Sequence, residues 1–154
     1  MCIRDSIEGL DALSIENVVL PAAATFDDVY AQIEQVGAAT GHVGDAAEVV
    51  ANMQTDIQAV LDALPERETA LTYYHELDNT LYSVTSGTFI GEVYSLLGLE
   101  NAVDAADPEN AAFGYPQVTE EYLVTANPDI IFLADTICCG QTVSYTHLTL
   151  PTKA

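Results

Sequence analysis

The chain has 154 residues, of which 49% are hydrophobic, and its formal net charge at pH 7 is −21. This length and apolar content are sufficient for one ordinary domain with a hydrophobic core. So large a negative charge repels the phosphates of nucleic acids and anionic lipid headgroups, so the composition argues against both as partners. No apolar run approaches the ~20 residues that a membrane-spanning helix needs.

The two ends read as translated adapter DNA rather than as protein sequence. Residues 1–6 (MCIRDS) can be encoded by ATG TGT ATA AGA GAC AGN, and the reverse complement of that DNA encodes Val-Ser-Tyr-Thr-His, the sequence of residues 143–147. One inverted element at both ends predicts that residues 1–6 and 143–154 are artefacts, to be excluded from fold reasoning. A reading frame that is open at both ends predicts a fragment whose signal segment is missing.

The first half of the remaining chain predicts one strand and two helices. A short apolar run at residues 17–20, stopped by Pro21, is typical of a buried strand. Thr25 is a favourable N-cap, and the apolar residues that follow it recur at helical spacing up to Val36. A longer apolar stripe over residues 43–64 predicts a second helix of about 33 Å that ends before a proline.

The second half alternates strands and helices. Residues 69–77 are rich in strand formers and predict a central strand, and residues 129–134 predict a second buried strand. Residues 87–97 carry one apolar face, and Thr119 precedes a short helix with acidic residues in its first turn. Strands that alternate with helices in this way predict an α/β fold with a parallel sheet.

In open α/β sheets, ligands bind beyond the carboxyl ends of the strands, and three predicted loops lie there: residues 78–87, 111–116 and 135–142. Aromatic side chains in or beside these loops could form apolar walls for a large flat or chelated ligand. They are Tyr82, Phe89, Phe113 and Tyr115. Hydroxyl groups before the helix at Phe89 could hold an anionic or carbonyl group of a ligand, and ordinary helix capping is the alternative. They belong to Ser83, Ser86 and Thr88.

Two segments carry a family resemblance. Residues 114–141 (GYPQVTEEYLVTANPDIIFLADTICCGQ) and residues 83–92 (SVTSGTFIGE) resemble the C-terminal lobe of the substrate-binding proteins of ABC importers for ferric siderophores, haem and cobalamin. The resemblance implies two α/β lobes joined by one rigid helix, the class III periplasmic-binding fold, present here in part. It implies that residues 7–41 are the end of the N-lobe, 42–65 the interlobe helix and 66–142 an incomplete C-lobe.

The resemblance also implies a function. A monomeric extracytoplasmic protein, periplasmic or lipid-anchored, would capture a ferric siderophore, haem or cobalamin-type chelate and deliver it to a membrane permease, with no catalysis, cofactor or resident metal. Ligand contacts would come from Tyr82, Ser83, Ser86, Thr88, Tyr115, Cys138, Cys139 and Gln141. In cobalamin-binding members the aromatic ring at the position of Tyr115 contacts ligand. Glu121, with its neighbour Glu120, would dock onto an arginine pocket of the permease; the alternative is that both carboxylates only favour the helix N-terminus.

A thiol-dependent enzyme or redox protein that uses Cys138 or Cys139 is the alternative function. A disulfide between adjacent cysteines is strained and easily reduced. A catalytic thiol would also need a histidine and an orienting group, for which His75 beside Glu76 is a candidate. A histidine in a central strand is more often packed and hydrogen-bonded, and the sequence has no phosphate loop, HExxH pair or GxSxG elbow.

Overall fold

A computed structural model describes residues 3–134, which fall into two compact units divided between Gln58 and Ala59. The elements in chain order are α1 (Ile3–Ala12), α2 (Phe26–Thr40), α3 (Val43–Asp62), β1 (Leu71–Glu76), α4 (Phe89–Leu96), β2 (Leu99–Asn101), a 3-10 turn (Asp104–Ala106), α5 (Glu120–Ala126) and β3 (Ile130–Leu133). Among the described residues, no helix combines the length and apolarity required to cross a bilayer.

The predicted strand at residues 17–20 is wrong. Residues 15–20 have no regular secondary structure, and Val18 and Val19 are each 54% exposed. A strand needs a neighbour for its backbone N–H and C=O groups. In the described part of the chain, the sheet is built from residues of the second unit alone, so the apolar run has no strand to pair with. The α1 helix was not predicted.

The predicted helix after Thr25 is confirmed as α2, and a capping box fixes its start. The Thr25 hydroxyl accepts a hydrogen bond from the Asp28 N–H at 3.1 Å, and the Asp28 carboxylate accepts one from the Thr25 N–H at 2.9 Å. Hydrogen bonds from Ala24 and Thr25 hold the pKa of Asp28 below its ordinary value. Gly41 ends the helix in the left-handed conformation, with φ 77°.

Gly37→Ala in α2 should lower the free energy of unfolding by about 1–3 kcal/mol because the site has no space for a methyl group. The added Cβ would lie 2.4 Å from the Ala46 Cβ and 3.1 Å from the His42 carbonyl oxygen. Urea unfolding followed by circular dichroism measures the loss. Adding Ala46→Gly removes the nearest atom, so the double variant should be more stable than the sum of the two single changes predicts. Strict additivity would contradict the close contact.

The α3 helix confirms the predicted long helix and spans about 30 Å at 1.5 Å per residue. It ends at Asp62 rather than at the predicted Leu64. The last turn tightens instead, since the N–H groups of Ala63 and Leu64 bond to carbonyls three residues back, at 3.2 and 3.1 Å.

The second unit contains a three-stranded parallel sheet in the order β2-β1-β3, so the predicted central strand is β1. Tyr73 pairs with Asn101 of β2 on one side and with Ile130 of β3 on the other. The three-residue β2 was not predicted because it is too short to show a pattern. This strand order places successive strands on opposite sides of β1, the arrangement in which a crevice opens at the carboxyl edge of the sheet.

Side chains of β1 alternate between two faces of the sheet. Tyr74 is 1% exposed and belongs to a core cluster with Val103, Val118 and Leu123. On the other face the Tyr73 ring packs on Tyr94 of α4, with ring centroids 4.2 Å apart. Burial raises the pKa of Tyr73 to about 12. Both faces of β1 are therefore covered, as expected for the central strand of a parallel sheet.

Candidate functional site

Two of the three predicted loops are joined into an antiparallel ribbon beyond the carboxyl end of β1. The Val118 N–H donates to the Leu81 carbonyl at 3.1 Å, and the Ser83 N–H donates to the Pro116 carbonyl at 3.0 Å. A third bond runs from the Thr85 N–H to the Gly114 carbonyl at 2.9 Å. This ribbon, residues 81–85 with 114–118, brings together two sequence regions about 30 residues apart. The third predicted loop, 135–142, lies outside the described residues.

Three aromatic side chains on or beside the ribbon are exposed, and we call them the aromatic rim: Tyr82, Phe113 and Tyr115. They are 41%, 84% and 47% exposed. Phe113 also has a positive φ of 53°, a conformation that is uncommon outside glycine and an outlier for a bulky residue. Strained backbone of this kind persists only where surrounding contacts fix it, and it is common at ligand-binding sites. Phe89 is partly buried and stands apart from this exposed set.

Backbone hydrogen bonds to one carboxylate fix the loop that carries Phe113. The Asp107 carboxylate accepts from the N–H groups of Ala111 at 2.7 Å and Ala112 at 3.1 Å. The Phe113 N–H bonds to the Asn110 carbonyl at 3.2 Å. The exposed phenyl ring is therefore presented by an ordered turn, which lowers the entropy that binding would cost.

Two polar residues, one in β2 and one in the turn that follows it, bond to the loop after β1, and sequence reasoning missed both. The side-chain amide of Asn101 donates to the Tyr73 hydroxyl at 2.7 Å and to the Val84 carbonyl at 2.8 Å. The Asp104 carboxylate accepts from the Ser86 N–H at 2.8 Å and from the Ser86 hydroxyl at 2.6 Å. The only sequence signal for them is their position at the end of β2 and shortly after it, and that strand is too short to recognise.

Two residues predicted as ligand contacts are buried in the structure. The side chains of Ser83 and Thr88 are 0% and 6% exposed, so neither presents a hydroxyl at the surface. Thr88 acts as the N-cap of α4: its hydroxyl accepts from the Gly91 N–H at 3.1 Å and donates to the Thr85 carbonyl at 2.9 Å. Thr88 therefore has the helix-capping role that was the alternative to ligand contact. Ser86 is exposed, but its hydroxyl donates to Asp104.

Glu120 and Glu121 lie exposed in the first turn of α5, which Thr119 caps by accepting from the Tyr122 N–H at 3.2 Å. Hydrogen bonds from its own backbone N–H and from Thr119 hold the pKa of Glu121 below its ordinary value. This keeps the carboxylate ionised, as pairing with a guanidinium requires. The same geometry suits the helix N-terminus alone, so docking stays a prediction.

His75 is half-buried, and its Nδ1 lies 2.9 Å from the Tyr94 hydroxyl. Burial lowers its pKa. This is the packed, hydrogen-bonded arrangement expected of a histidine in a central strand. Cys138, Cys139 and Gln141 lie outside the described residues. Within residues 3–134 no group of three potential metal ligands comes together.

A concavity of about 710 Å³ lies in the first unit, lined by residues between Asp11 and Val18 and by Ala39. A smaller apolar groove of about 290 Å³ in the same unit runs beside α2. Neither is lined by a predicted site residue. The aromatic rim is an open surface of the second unit. Cavity size and the chemistry of the exposed side chains therefore point to different parts of the chain.

A sequence profile described as "Periplasmic binding protein" matches residues 3–146. A cobalamin-binding protein of Halobacterium salinarum is 35% identical over 112 residues, which cover 71% of this chain and 29% of that protein. An uncharacterized ABC transporter substrate-binding lipoprotein of Bacillus subtilis is 28% identical over 135 residues, covering 85% of this chain and 41% of that protein. The chain thus spans less than half the length of these relatives.

Solved structures share the fold. A possible iron-binding periplasmic protein of Staphylococcus epidermidis has a TM-score of 0.75 at 19% identity, covering 92% of this chain and 52% of its own. The periplasmic vitamin B12 binding protein of Vibrio cholerae has a TM-score of 0.65 at 20% identity, with coverage of 92% and 54%. At these identities the likeness concerns the fold.

Proposed function

Because the chain belongs to the periplasmic binding protein family, we propose that it serves in the substrate-binding component of an ABC importer. That component would capture a metal chelate of the ferric siderophore, haem or cobalamin type and deliver it to a membrane permease. The names of the relatives support this proposal. The predicted fold class is confirmed: the chain has part of the two-lobe class III α/β fold.

The observation that carries the proposal is the aromatic rim. A large chelate presents broad apolar surface with few polar groups, and exposed aromatic side chains offer matching area at low entropic cost. The rim lies beyond the carboxyl end of the central strand, where open α/β sheets bind ligands. The hydrogen bonds of the ribbon and of the Asp107 turn fix the backbone that carries the rim. Such a surface would bind its ligand without turnover, so we propose no catalytic role.

The proposal extends to organisation and location. Residues 7–41 would be the end of the N-lobe, 42–65 the interlobe helix and 66–142 the C-lobe. The protein would act as a monomer outside the cytoplasmic membrane, in the periplasm or lipid-anchored, as the lipoprotein relative suggests. Glu121, with Glu120 beside it, would meet arginines of the permease. Its ionised, exposed carboxylate supports this role.

The Tyr115→Ala substitution should weaken chelate binding by at least tenfold because it removes a rim aromatic, and such anchors typically contribute about 2 kcal/mol or more. Cobalamin, haem and ferric siderophores can be titrated while tyrosine emission is followed, since the chain has eight tyrosines and no tryptophan. Val124→Ala, at an exposed apolar position on α5, is the matched control and should leave Kd unchanged. Equal affinities of the Tyr115→Ala and unaltered proteins would remove the rim from the proposal.

A further inference from the structure

The second unit is strongly asymmetric in charge. From Glu68 to Thr152 the sequence contains no lysine or arginine, while carboxylates occur throughout this stretch. The aromatic rim belongs entirely to it. Arg67, the basic residue that precedes the stretch, lies before the amino end of β1, at the opposite edge of the sheet from the rim. No cationic side chain of the stretch is therefore available to a ligand at the rim.

The loops that carry the rim hold carboxylates in fixed positions. Asp78 accepts from the Thr80 N–H at 2.8 Å, close to Tyr82 in sequence. Asp104 accepts from Ser86, and Asp107 accepts from the turn that presents Phe113. Glu109 is exposed in that same turn. Three of these four carboxylates accept hydrogen bonds from backbone N–H groups of the loops. A change of rotamer would break those bonds, so these carboxylates stay near the rim when a ligand binds.

At the starts of α4 and α5, one backbone N–H group each is already bonded to the capping hydroxyl. The Gly91 N–H at the start of α4 donates to the Thr88 hydroxyl at 3.1 Å. The Tyr122 N–H at the start of α5 donates to Thr119 at 3.2 Å. His75 is half-buried against Tyr94, and its lowered pKa keeps the imidazole neutral at pH 7. The described part of the rim region thus offers aromatic area and negative charge.

We propose that the aromatic rim and the carboxylates around it accept neutral or cationic chelates and exclude polyanionic ones. The inference rests on the proposed function and narrows its ligand class. A chelate without net charge can place its flat apolar face on Tyr82, Phe113 and Tyr115 without electrostatic cost. A ligand with several negative charges would meet the carboxylates, and no lysine or arginine between residues 68 and 152 offsets them.

Two matched pairs of probes isolate charge from shape. Cyanocobalamin, which is neutral, is compared with cyanocobalamin whose peripheral amides have been hydrolysed to carboxylates. A neutral ferric trihydroxamate is compared with a ferric tricatecholate of charge −3. Equilibrium dialysis of the purified chain at about 0.01 M salt, where the Debye length is about 30 Å, gives each Kd. In at least one pair the neutral probe should bind at least tenfold more tightly than its anionic partner. At about 1 M salt the ratio of the two Kd values should be smaller.

A charge reversal locates the effect. Glu109→Lys in the Phe113 turn should tighten binding of the anionic probes at least threefold. Glu68→Lys makes the same change in net charge at an exposed position before β1, and should tighten their binding less because it lies farther from the rim. Thermal unfolding of both variants checks that the fold is intact. An equal gain from both variants would mean that net charge alone acts, and would overturn the inference.

The outcomes separate this inference from the proposed function. If the anionic probes bind as tightly as the neutral ones at low salt, charge selectivity is wrong and the import role stands. If no probe of any charge binds, the proposed function fails, and the ligand class inferred from it fails too. Tighter binding of the tricatecholate than of the trihydroxamate would show that the rim prefers anionic chelates, and would overturn the inference.

Discussion

Gly91→Ala should destabilise the protein by about 3 kcal/mol or more, the upper part of the range for overpacking. A Cβ at Gly91 would lie 2.1 Å from the Thr85 carbonyl oxygen and 2.6 Å from the Ser86 Cα. Both neighbours are backbone atoms, and Thr85 is itself held by its bond to Gly114. Because no flexible side chain can move aside, α4 must shift away from the ribbon. Chemical denaturation followed by circular dichroism gives the loss directly.

Gly44→Ala is the matched control for this prediction. Gly44 is also helical, in α3, but nothing lies within 4 Å of the position that an added methyl group would take. Alanine there should leave stability unchanged or raise it by up to about 1 kcal/mol, because glycine is the poorer helix former. If Gly91→Ala behaved like Gly44→Ala, the close approach of α4 to residues 85–86 would be disproved.

Gly114→Ala should destabilise by about 2–4 kcal/mol, from two separate causes. Gly114 has a φ of 84°, and a side chain there costs about 1 kcal/mol or more in backbone strain. Its Cβ would also lie 2.6 Å from the Thr88 Cγ2. Adding Thr88→Ser removes that methyl group and keeps the hydroxyl that caps α4. The double variant should therefore recover the steric part and retain the strain.

A double-mutant cycle of unfolding free energies tests this partition. A coupling of about 1 kcal/mol or more between Gly114→Ala and Thr88→Ser is expected. Additive effects would instead assign the whole loss to backbone strain. Because Gly114 precedes Tyr115, the single variant should also weaken chelate binding, whereas the double variant should restore part of it.

Locally encoded features were predictable from the sequence, and features that depend on distant partners were not. The capped starts at Thr25 and Thr119 follow from a hydroxyl and an acidic first turn within four residues, and the structure confirms both. The run at residues 17–20 resembles β3 in composition, yet only β3 has a neighbour in the described sheet. A strand exists through its pairing, which a short apolar run does not specify.

The same distinction applies to the site. The sequence predicts Tyr82 and Tyr115 on two loops beyond the carboxyl ends of the strands, and the ribbon joins those loops. Burial of Ser83 could not be foreseen, because it depends on a register with residues about 33 positions later. The roles of Asn101 and Asp104 likewise arise from the folded arrangement of β2 and the loop after β1.

The segment from Tyr115 to Glu121 has a mechanical consequence. Pro116 and Val118 are buried, and Val118 is bonded to Leu81, so the middle of the segment is anchored while both ends are exposed. Six residue steps of extended chain reach at most about 20 Å. A displacement of the Glu121 carboxylate would thus be transmitted to the Tyr115 ring over a short distance, while Pro116 and Val118 stay in place.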